Sequence, residues 1–307
     1  GGYGGYYGYE NYYDPDKSQQ VFGVSLGWGK RLRWPDDYFT LSADLSYTRY
    51  IMKDWNYFSL MTNGNCNNLA LRFSLARNSI DNQIYPRRGS EILLSVAVTP
   101  PYSLWDGKDY AGLANNVSSP TYSKELQEKY SWIEYHKWLL KGRWYFPLTP
   151  NQNLVLMLGA EMGYLGHYNK NKVSPFERFE IGGDGMTGYN IYGVDIISMR
   201  GYEDGALDPS DYYSVAYNKY TMELRYPVIM KPQSSIYVLG FLEGGNGFNS
   251  WRDFSPFKIK RSAGVGVRLF LPIVGMIGID WGWGFDPAYG KTERSGSQFH
   301  FVMGQQF

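Results

Sequence analysis

The chain has 307 residues, with 30 Lys and Arg against 29 Asp and Glu, and its net charge of +1 argues against nucleic acid as a partner. Aromatic residues make up 18% of the sequence, and this content excludes a disordered chain. The longest apolar run, 269–279, is short and contains proline and glycine, so we expect no membrane-spanning helix. One cysteine and three scattered histidines indicate no disulfide framework, no metal site and no cofactor.

Most of the chain alternates apolar and polar residues with a period of two, which predicts β-strands. In the segment 38–51, for example, the odd-numbered residues from Phe39 to Tyr47 are apolar and the intervening ones are polar. We predict eleven strands, at 20–33, 38–51, 66–78, 90–99, 131–147, 153–166, 218–229, 235–246, 258–271, 275–285 and 297–307. The best helical pattern is a short one near 123–129.

The connections between these strands alternate in length. The short ones are 34–37, 86–89, 148–151 and 231–234, and the long polar ones are 52–65, 100–130, 167–217 and 247–257. Short turns at one end and long loops at the other are typical of an antiparallel transmembrane β-barrel of the outer membrane.

The alternative is a soluble β-sandwich or jelly roll, whose exposed faces would carry many Lys and Glu residues. Here the polar faces are rich in Gly, Ser and Thr, and the apolar faces carry Tyr and Trp near their ends, which favours the barrel.

Two short motifs match catalytic patterns, but their contexts argue against those functions. Residues 183–188 fit the dinucleotide-binding pattern G-x-G-x-x-G, yet no helix is predicted to follow them. Residues 23–27 fit the nucleophile pattern G-x-S-x-G, yet they lie inside a predicted strand rather than at a sharp turn. We therefore expect a protein that is not an enzyme.

The longest connection, 167–217, mixes apolar, aromatic and glycine residues, as a loop that packs against other parts of the protein does. Its Arg200, if it is folded into a barrel lumen, needs carboxylate partners to offset the loss of hydration. Glu223 and Glu243 lie on the two strands that follow the loop and are candidates. Each of these charges could instead be a solvated residue of the lumen.

Several segments resemble motifs of BamA and its relatives, the family of outer-membrane-protein assembly factors. Met199-Arg200-Gly201-Tyr202 is similar to the V-R-G-F/Y motif of the sixth extracellular loop of the family, with Met199 in place of valine, and Gly182-Gly183 is similar to the G-G that precedes it. Residues 81–90, 279–285 and 299–307 also resemble family segments, so the likeness covers nearly the whole chain. In the family the loop arginine contacts acidic residues on the next two strands, which implies that Arg200 pairs with Glu223 and Glu243.

The last predicted strand, 297–307, is rich in phenylalanine. Phe299, Phe301, Met303 and Phe307 share one parity and are expected to face lipid, whereas Gly304 leaves room inside. This end resembles the C-terminal β-signal that assembly machinery recognises by strand pairing. The alternative is that it has the composition of any barrel's last strand.

The resemblance also implies an organisation and a function. The family barrel has sixteen strands preceded by periplasmic POTRA domains, so residues 1–307 are expected to be the C-terminal part of the barrel domain, with the first strands and the POTRA domains outside this chain. The barrel is expected to insert nascent outer-membrane β-barrel proteins through a lateral seam between its first and last strands. Accessory lipoproteins, the lipid bilayer and lipopolysaccharide are the other expected partners.

Two alternatives have different functions. A porin-type passive channel would use Arg72, Arg143 and Arg225 as charged residues that select ions. A secretion-type relative with the same loop motif would translocate an adhesin.

Overall fold

The computed structural model describes residues 2–11, 14–55, 61–186, 192–209 and 213–304, with side chains from residue 16 onward. Twelve long strands form one antiparallel sheet in which each strand lies beside its neighbours in the chain, and β8 and β9 form a separate parallel pair. The strands are β1 Gly2–Asn11, β2 Asp14–Arg31, β3 Phe39–Lys53, β4 Gly64–Asn78, β5 Gly89–Val98, β6 His136–Pro147, β7 Val155–Gly166, β8 Phe179–Ile181, β9 Asp195–Ile197, β10 Ala216–Lys231, β11 Ser234–Phe248, β12 Lys260–Leu271, β13 Gly275–Pro287 and β14 Arg294–Met303. The helices are α1 Tyr102–Trp105 and α2 Tyr122–Tyr130, and a single 3₁₀ turn spans Trp251–Asp253.

Each of the eleven predicted strands overlaps a strand of the sheet, and the short helical pattern near 123–129 lies within α2. The sheet also contains β1, which the sequence did not predict because glycine and tyrosine do not alternate regularly between residues 2 and 11. Among the described residues, neither helix has the length and hydropathy needed to cross a membrane.

The two faces of the strands are the reverse of those in a soluble sheet. On β13 the side chains of Ile279, Trp281 and Trp283 are exposed, whereas Asp280 between them is completely buried. On β12, Val265 and Val267 are likewise exposed and Arg268 is buried. Apolar side chains outside and charged side chains inside are the pattern of strands that face lipid.

Contacts divide the chain into two units. The first consists of residues 1–75, 95–138 and 165–177. Inside it, the buried Lys172 Nζ lies 3.9 Å from Glu134 Oε2 and 4.7 Å from the centre of the Tyr110 ring. Glu134 in turn accepts a hydrogen bond of 2.8 Å from the backbone N–H of Ser103. These contacts hold the long connection between β5 and β6 in a defined structure.

The second unit consists of residues 76–94, 139–164 and 178–307. Its core is a buried cluster of Tyr85, Tyr145, Val155, Met157, Tyr237, Leu239, Phe241 and Met276. Tyr85 comes from the turn between β4 and β5, and its hydroxyl donates to the backbone carbonyls of Asn153 at 2.7 Å and Arg225 at 3.0 Å. The turn is closed by Asp81, whose Oδ1 accepts from the backbone N–H of Arg87 at 2.8 Å. The whole candidate site lies in this second unit.

Candidate functional site

The loop between β7 and β10 is folded by its own backbone hydrogen bonds. The N–H of Gly182 donates to Ile197 at 3.0 Å, which continues the β8–β9 pair. Gly183 then donates to the carbonyl of Tyr202 and accepts from the N–H of Met199, both at 3.0 Å. The predicted glycine pair therefore lies beside the predicted motif Met199 to Tyr202. Gly183 is hydrogen-bonded to both end residues of the motif, one on each side of Arg200.

Glycine is required at both positions of this pair. Gly182 has a φ of +141° and Gly183 a φ of +69°, which are conformations that other residues rarely adopt. A Cβ at Gly182 would collide with the backbone carbonyl of Glu203, and one at Gly183 would collide with the carboxylate of Asp204. The close packing of the loop on itself therefore depends on these two residues.

Arg200 is buried and makes contact with three carboxylates. Glu243 Oε1 accepts from Nε at 3.0 Å and from Nη2 at 2.6 Å, while its Oε2 accepts from the Arg200 backbone N–H at 2.9 Å. Nη2 also donates to Glu223 Oε1 at 2.7 Å, and Nη1 donates to Asp280 Oδ2 at 3.3 Å. The guanidinium carbon lies 3.7 Å from the centre of the Phe241 ring, so one face of the cation is stacked on an aromatic side chain.

Two of these carboxylates are shared with arginines on the strands. Arg225 Nη2 lies 2.6 Å from Glu223 Oε2, and Arg268 Nη1 lies 2.6 Å from Asp280 Oδ1. Three arginines and three carboxylates therefore form one buried network, with Lys219 at its edge, 3.8 Å from Glu243. Opposite charges with nearly complete hydrogen bonding offset much of the cost of removing these groups from water.

The network keeps Arg200 charged. Burial lowers the pKa of its guanidinium, but the charges of Glu243, Glu223 and Asp280 outweigh this effect and raise the pKa above its ordinary value. A permanently charged arginine in this position binds the loop to β10, β11 and β13 at the same time.

Asp280 is not among the predicted partners of Arg200, although the sequence contains one signal for it. Asp280 lies on β13 between Gly278 and Gly282, and Gly284 is on the same face. A carboxylate surrounded by glycines has space for another segment to approach it, and here that segment is the tip of the loop.

Met199 and Tyr202, the residues at the two ends of the motif, hold the segment that carries Arg200 in place. Both side chains are completely buried. The Tyr202 hydroxyl donates to the carbonyl of Arg261 at 2.7 Å and accepts from the N–H of Asp286 at 3.4 Å. The aromatic residue of the motif thus anchors the loop to the ends of β12 and β13.

The predicted C-terminal residues lie on or beside β14. Phe299, Phe301 and Met303 are 60–66% exposed on one face, in agreement with their common parity. Gly304 follows the strand with a φ of +78°, and Phe307 lies outside the described residues.

The three arginines of the channel alternative lie on the strands β4, β6 and β10. Within the first unit, Arg72 Nη2 is 4.0 Å from Glu177 Oε2. Within the second, Arg225 is bound to Glu223. At least two of these cations therefore have carboxylate partners, as residues of a structural network do.

The inverted strand faces and the buried charge network define an integral β-barrel membrane protein. The model of the Omp85 superfamily domain matches residues 3–307, and the chain belongs to this superfamily.

The chain is similar to BamA both in sequence and in fold. It is 38% identical over 80 residues to the outer membrane protein assembly factor BamA of Neisseria meningitidis serogroup B, a match to 26% of this chain and 8% of that protein. The crystal structure of BamA from Haemophilus ducreyi lacking POTRA domains 1-3 matches with a TM-score of 0.64 at 17% identity, over 93% of this chain and 54% of that one. CdiB from Escherichia coli matches with a TM-score of 0.49 at 12% identity, over 93% of this chain and 45% of that one.

This chain thus spans about half the length of the solved relatives that it matches. The likeness to BamA shows the fold, an antiparallel β-barrel that is integral to the outer membrane.

Proposed function

We propose that this chain supplies the barrel of an outer-membrane assembly factor, which helps other β-barrel proteins to fold and insert. The likeness to BamA supports this function. The observation that carries it is the binding of Arg200 to carboxylates on three strands, because this contact fixes the long loop against the strands next to the end of the sheet.

Strand pairing is the chemistry that the proposal requires. Among the described residues β14 is the last strand of the sheet, and its hydrogen-bonded partner is β13. An edge strand presents unpaired N–H and C=O groups that can template an incoming strand. A lateral seam between the first and last strands of the barrel would expose this edge to a nascent barrel protein.

We further propose that the protein works without a nucleotide, a cofactor or covalent catalysis. The folding of the substrate itself releases free energy as its strands pair and its apolar face meets lipid. The partners would be nascent barrel proteins, accessory lipoproteins and an outer membrane that contains lipopolysaccharide.

The test is the replacement of Arg200 by alanine in the full-length protein, followed by the rate at which a β-barrel substrate folds into lipid vesicles. Three carboxylates then remain buried with one cation fewer, so the loop loses its ionic attachment to β10, β11 and β13. We expect substrate folding to slow by about tenfold or more, the change that corresponds to ~1.4 kcal/mol in a barrier.

Arg252→Ala is the matched control, because Arg252 is an exposed arginine in the connection between β11 and β12. It is expected to leave the folding rate unchanged. If Arg200→Ala is folded and supports substrate folding at the wild-type rate, the proposed role of the loop is wrong.

A further inference from the structure

The tip of the loop is hydrogen-bonded to the edge strand β14 through both polar groups of one residue. The backbone N–H of Gly201 donates to Nε2 of His300 at 2.8 Å. The backbone carbonyl of Gly201 accepts from the hydroxyl of Ser295 at 2.7 Å. His300 and Ser295 lie on β14, so this strand meets the loop at two points along its length.

The approach is possible because the loop tip lies in a cradle of glycines on β13. A Cβ added to Gly282 would lie 2.7 Å from the nitrogen of Gly201, and one added to Gly284 would collide with the oxygen of Gly201. Gly201 itself has a φ of +86°, and a Cβ there would lie 2.8 Å from Cβ of Ser262. The backbone of Gly201 therefore passes directly over β13 and reaches the side chains of β14.

His300 can hold this position only as a hydrogen-bond acceptor. Its imidazole is 4% exposed, and Nε2 must be free of a proton to accept from Gly201, so the proton of the neutral ring is on Nδ1. The charged groups near the ring are Asp280, Glu243, Asp184 and Arg200. The histidine is thus packed beside the arginine network and connects that network to the edge strand.

In the described residues β14 ends the sheet, and Phe299, Phe301 and Met303 on its opposite face are exposed. Among the described contacts, the strand is held by its ladder to β13, by the hydrogen bond between Ser297 and Trp281 and, through His300 and Ser295, by the loop.

We propose that His300 and Ser295 form a latch through which the loop tip positions the edge strand β14. They are positioning residues: they set how readily the free edge of β14 becomes available for pairing with an incoming strand. This inference rests on the proposed function for its consequence, but the latch itself can be measured without any substrate.

The experiment is hydrogen–deuterium exchange of the full-length protein in lipid vesicles, followed in peptides that cover 199–202 and 294–303. His300→Phe removes the acceptor and leaves a buried N–H without a partner, and Ser295→Ala removes the donor to the carbonyl. Each is expected to accelerate exchange in both peptides by about tenfold, since a lost hydrogen bond in a buried site typically has an effect of this order.

Two conservative variants distinguish the loss of the latch hydrogen bonds from a general loss of packing in β14. The amide oxygen of His300→Gln can still accept from Gly201, so exchange is expected to remain close to the wild-type rate. Ser297→Ala removes a hydroxyl of the same strand that binds Trp281 Nε1 at 2.8 Å instead of the loop, and it is expected to change neither peptide.

Wild-type exchange in both His300→Phe and Ser295→Ala would overturn the latch. Equal acceleration in all four variants would overturn it as well, because the effect would then be a loss of packing in β14. If the latch is present and Arg200→Ala nevertheless folds substrates at the wild-type rate, the proposed function fails and the latch stands.

Discussion

Arg200 occupies a position that only a guanidinium can fill. Three nitrogens in one plane reach Glu243, Glu223 and Asp280, and the flat face of the group stacks on Phe241. A lysine ammonium is a compact charge on a flexible chain and cannot reproduce this planar arrangement. The cost of burying so many charges is offset only while the arrangement is complete.

The loss of stability should therefore depend on which residue replaces Arg200. Arg200→Met leaves Glu223, Glu243 and Asp280 with one buried cation fewer, and we expect it to lower the free energy of unfolding by about 3–5 kcal/mol. Arg200→Lys retains one charge and is expected to lose less. The measurement is the urea dependence of unfolding in lipid vesicles. Equal stability of the wild-type and Arg200→Met proteins would show that the network contributes nothing to the fold.

At this scale the sequence predicted the arginine and two of its three carboxylates. Arg200 and the motif around it carry the resemblance to the family, and Glu223 and Glu243 follow on the next two strands. Asp280, His300 and Ser295 could not be assigned, because the alternation of a strand says which face a side chain occupies but not which loop will lie against that face.

The loop is an element with its own hydrogen-bonded structure and its own titratable group. Asp208 accepts from the hydroxyl of Ser214 at 2.6 Å and from the N–H of Ile181 at 3.3 Å. Burial, together with the nearby negative charge of Glu180, raises the pKa of its carboxyl to about 8 in spite of these hydrogen bonds. The segments of the loop before and after the arginine are thus joined at a carboxyl group that prefers to be protonated.

The loop should consequently be packed more firmly at acid pH than at alkaline pH. In the folded protein Asp208 binds its proton up to a pH of about 8, whereas the unfolded state releases it near its ordinary value of 3.8. Between these two values the folded state binds more protons, so its stability falls as the pH rises and becomes constant above about 8.

Asp208→Asn is expected to remove this dependence. At pH 9 the peptides that cover 178–183 and 213–216 should exchange hydrogen several-fold more slowly in the variant than in the wild type, after correction for the intrinsic rate. At pH 6 the two proteins should be alike. Asp253→Asn, in an exposed turn, is the control and should follow the wild type at both pH values. A wild-type pH profile in Asp208→Asn would mean that another group causes the dependence.

At the scale of the whole molecule, the strands were predictable because most of them alternate two kinds of residue over ten or more positions. The segment 2–11 lacks this alternation and is therefore not predicted as a strand, although it forms β1. The pair β8–β9 was not predicted either, since three residues are too few to establish a period and the pairing depends on contacts between distant parts of the loop.

The outer face of the strands provides a test of membrane insertion itself. Ile279 on β13 is 44% exposed. At an exposed position of a soluble sheet, Ile→Lys changes the free energy of unfolding by no more than about 0.5 kcal/mol. In a bilayer the same ammonium group lies in hydrocarbon, and the cost near the midplane is about 2–4 kcal/mol.

We therefore expect Ile279→Lys to lower the free energy of unfolding in lipid vesicles by an amount in the bilayer range. Phe257→Lys is the matched control, because Phe257 is 90% exposed in the connection between β11 and β12, beyond the ends of the strands. A loss of stability that is confined to Ile279→Lys places β13 in the hydrocarbon layer, since exposure alone would give the two substitutions the same small effect. Equal and small effects of the two would mean that this face of β13 is in contact with water.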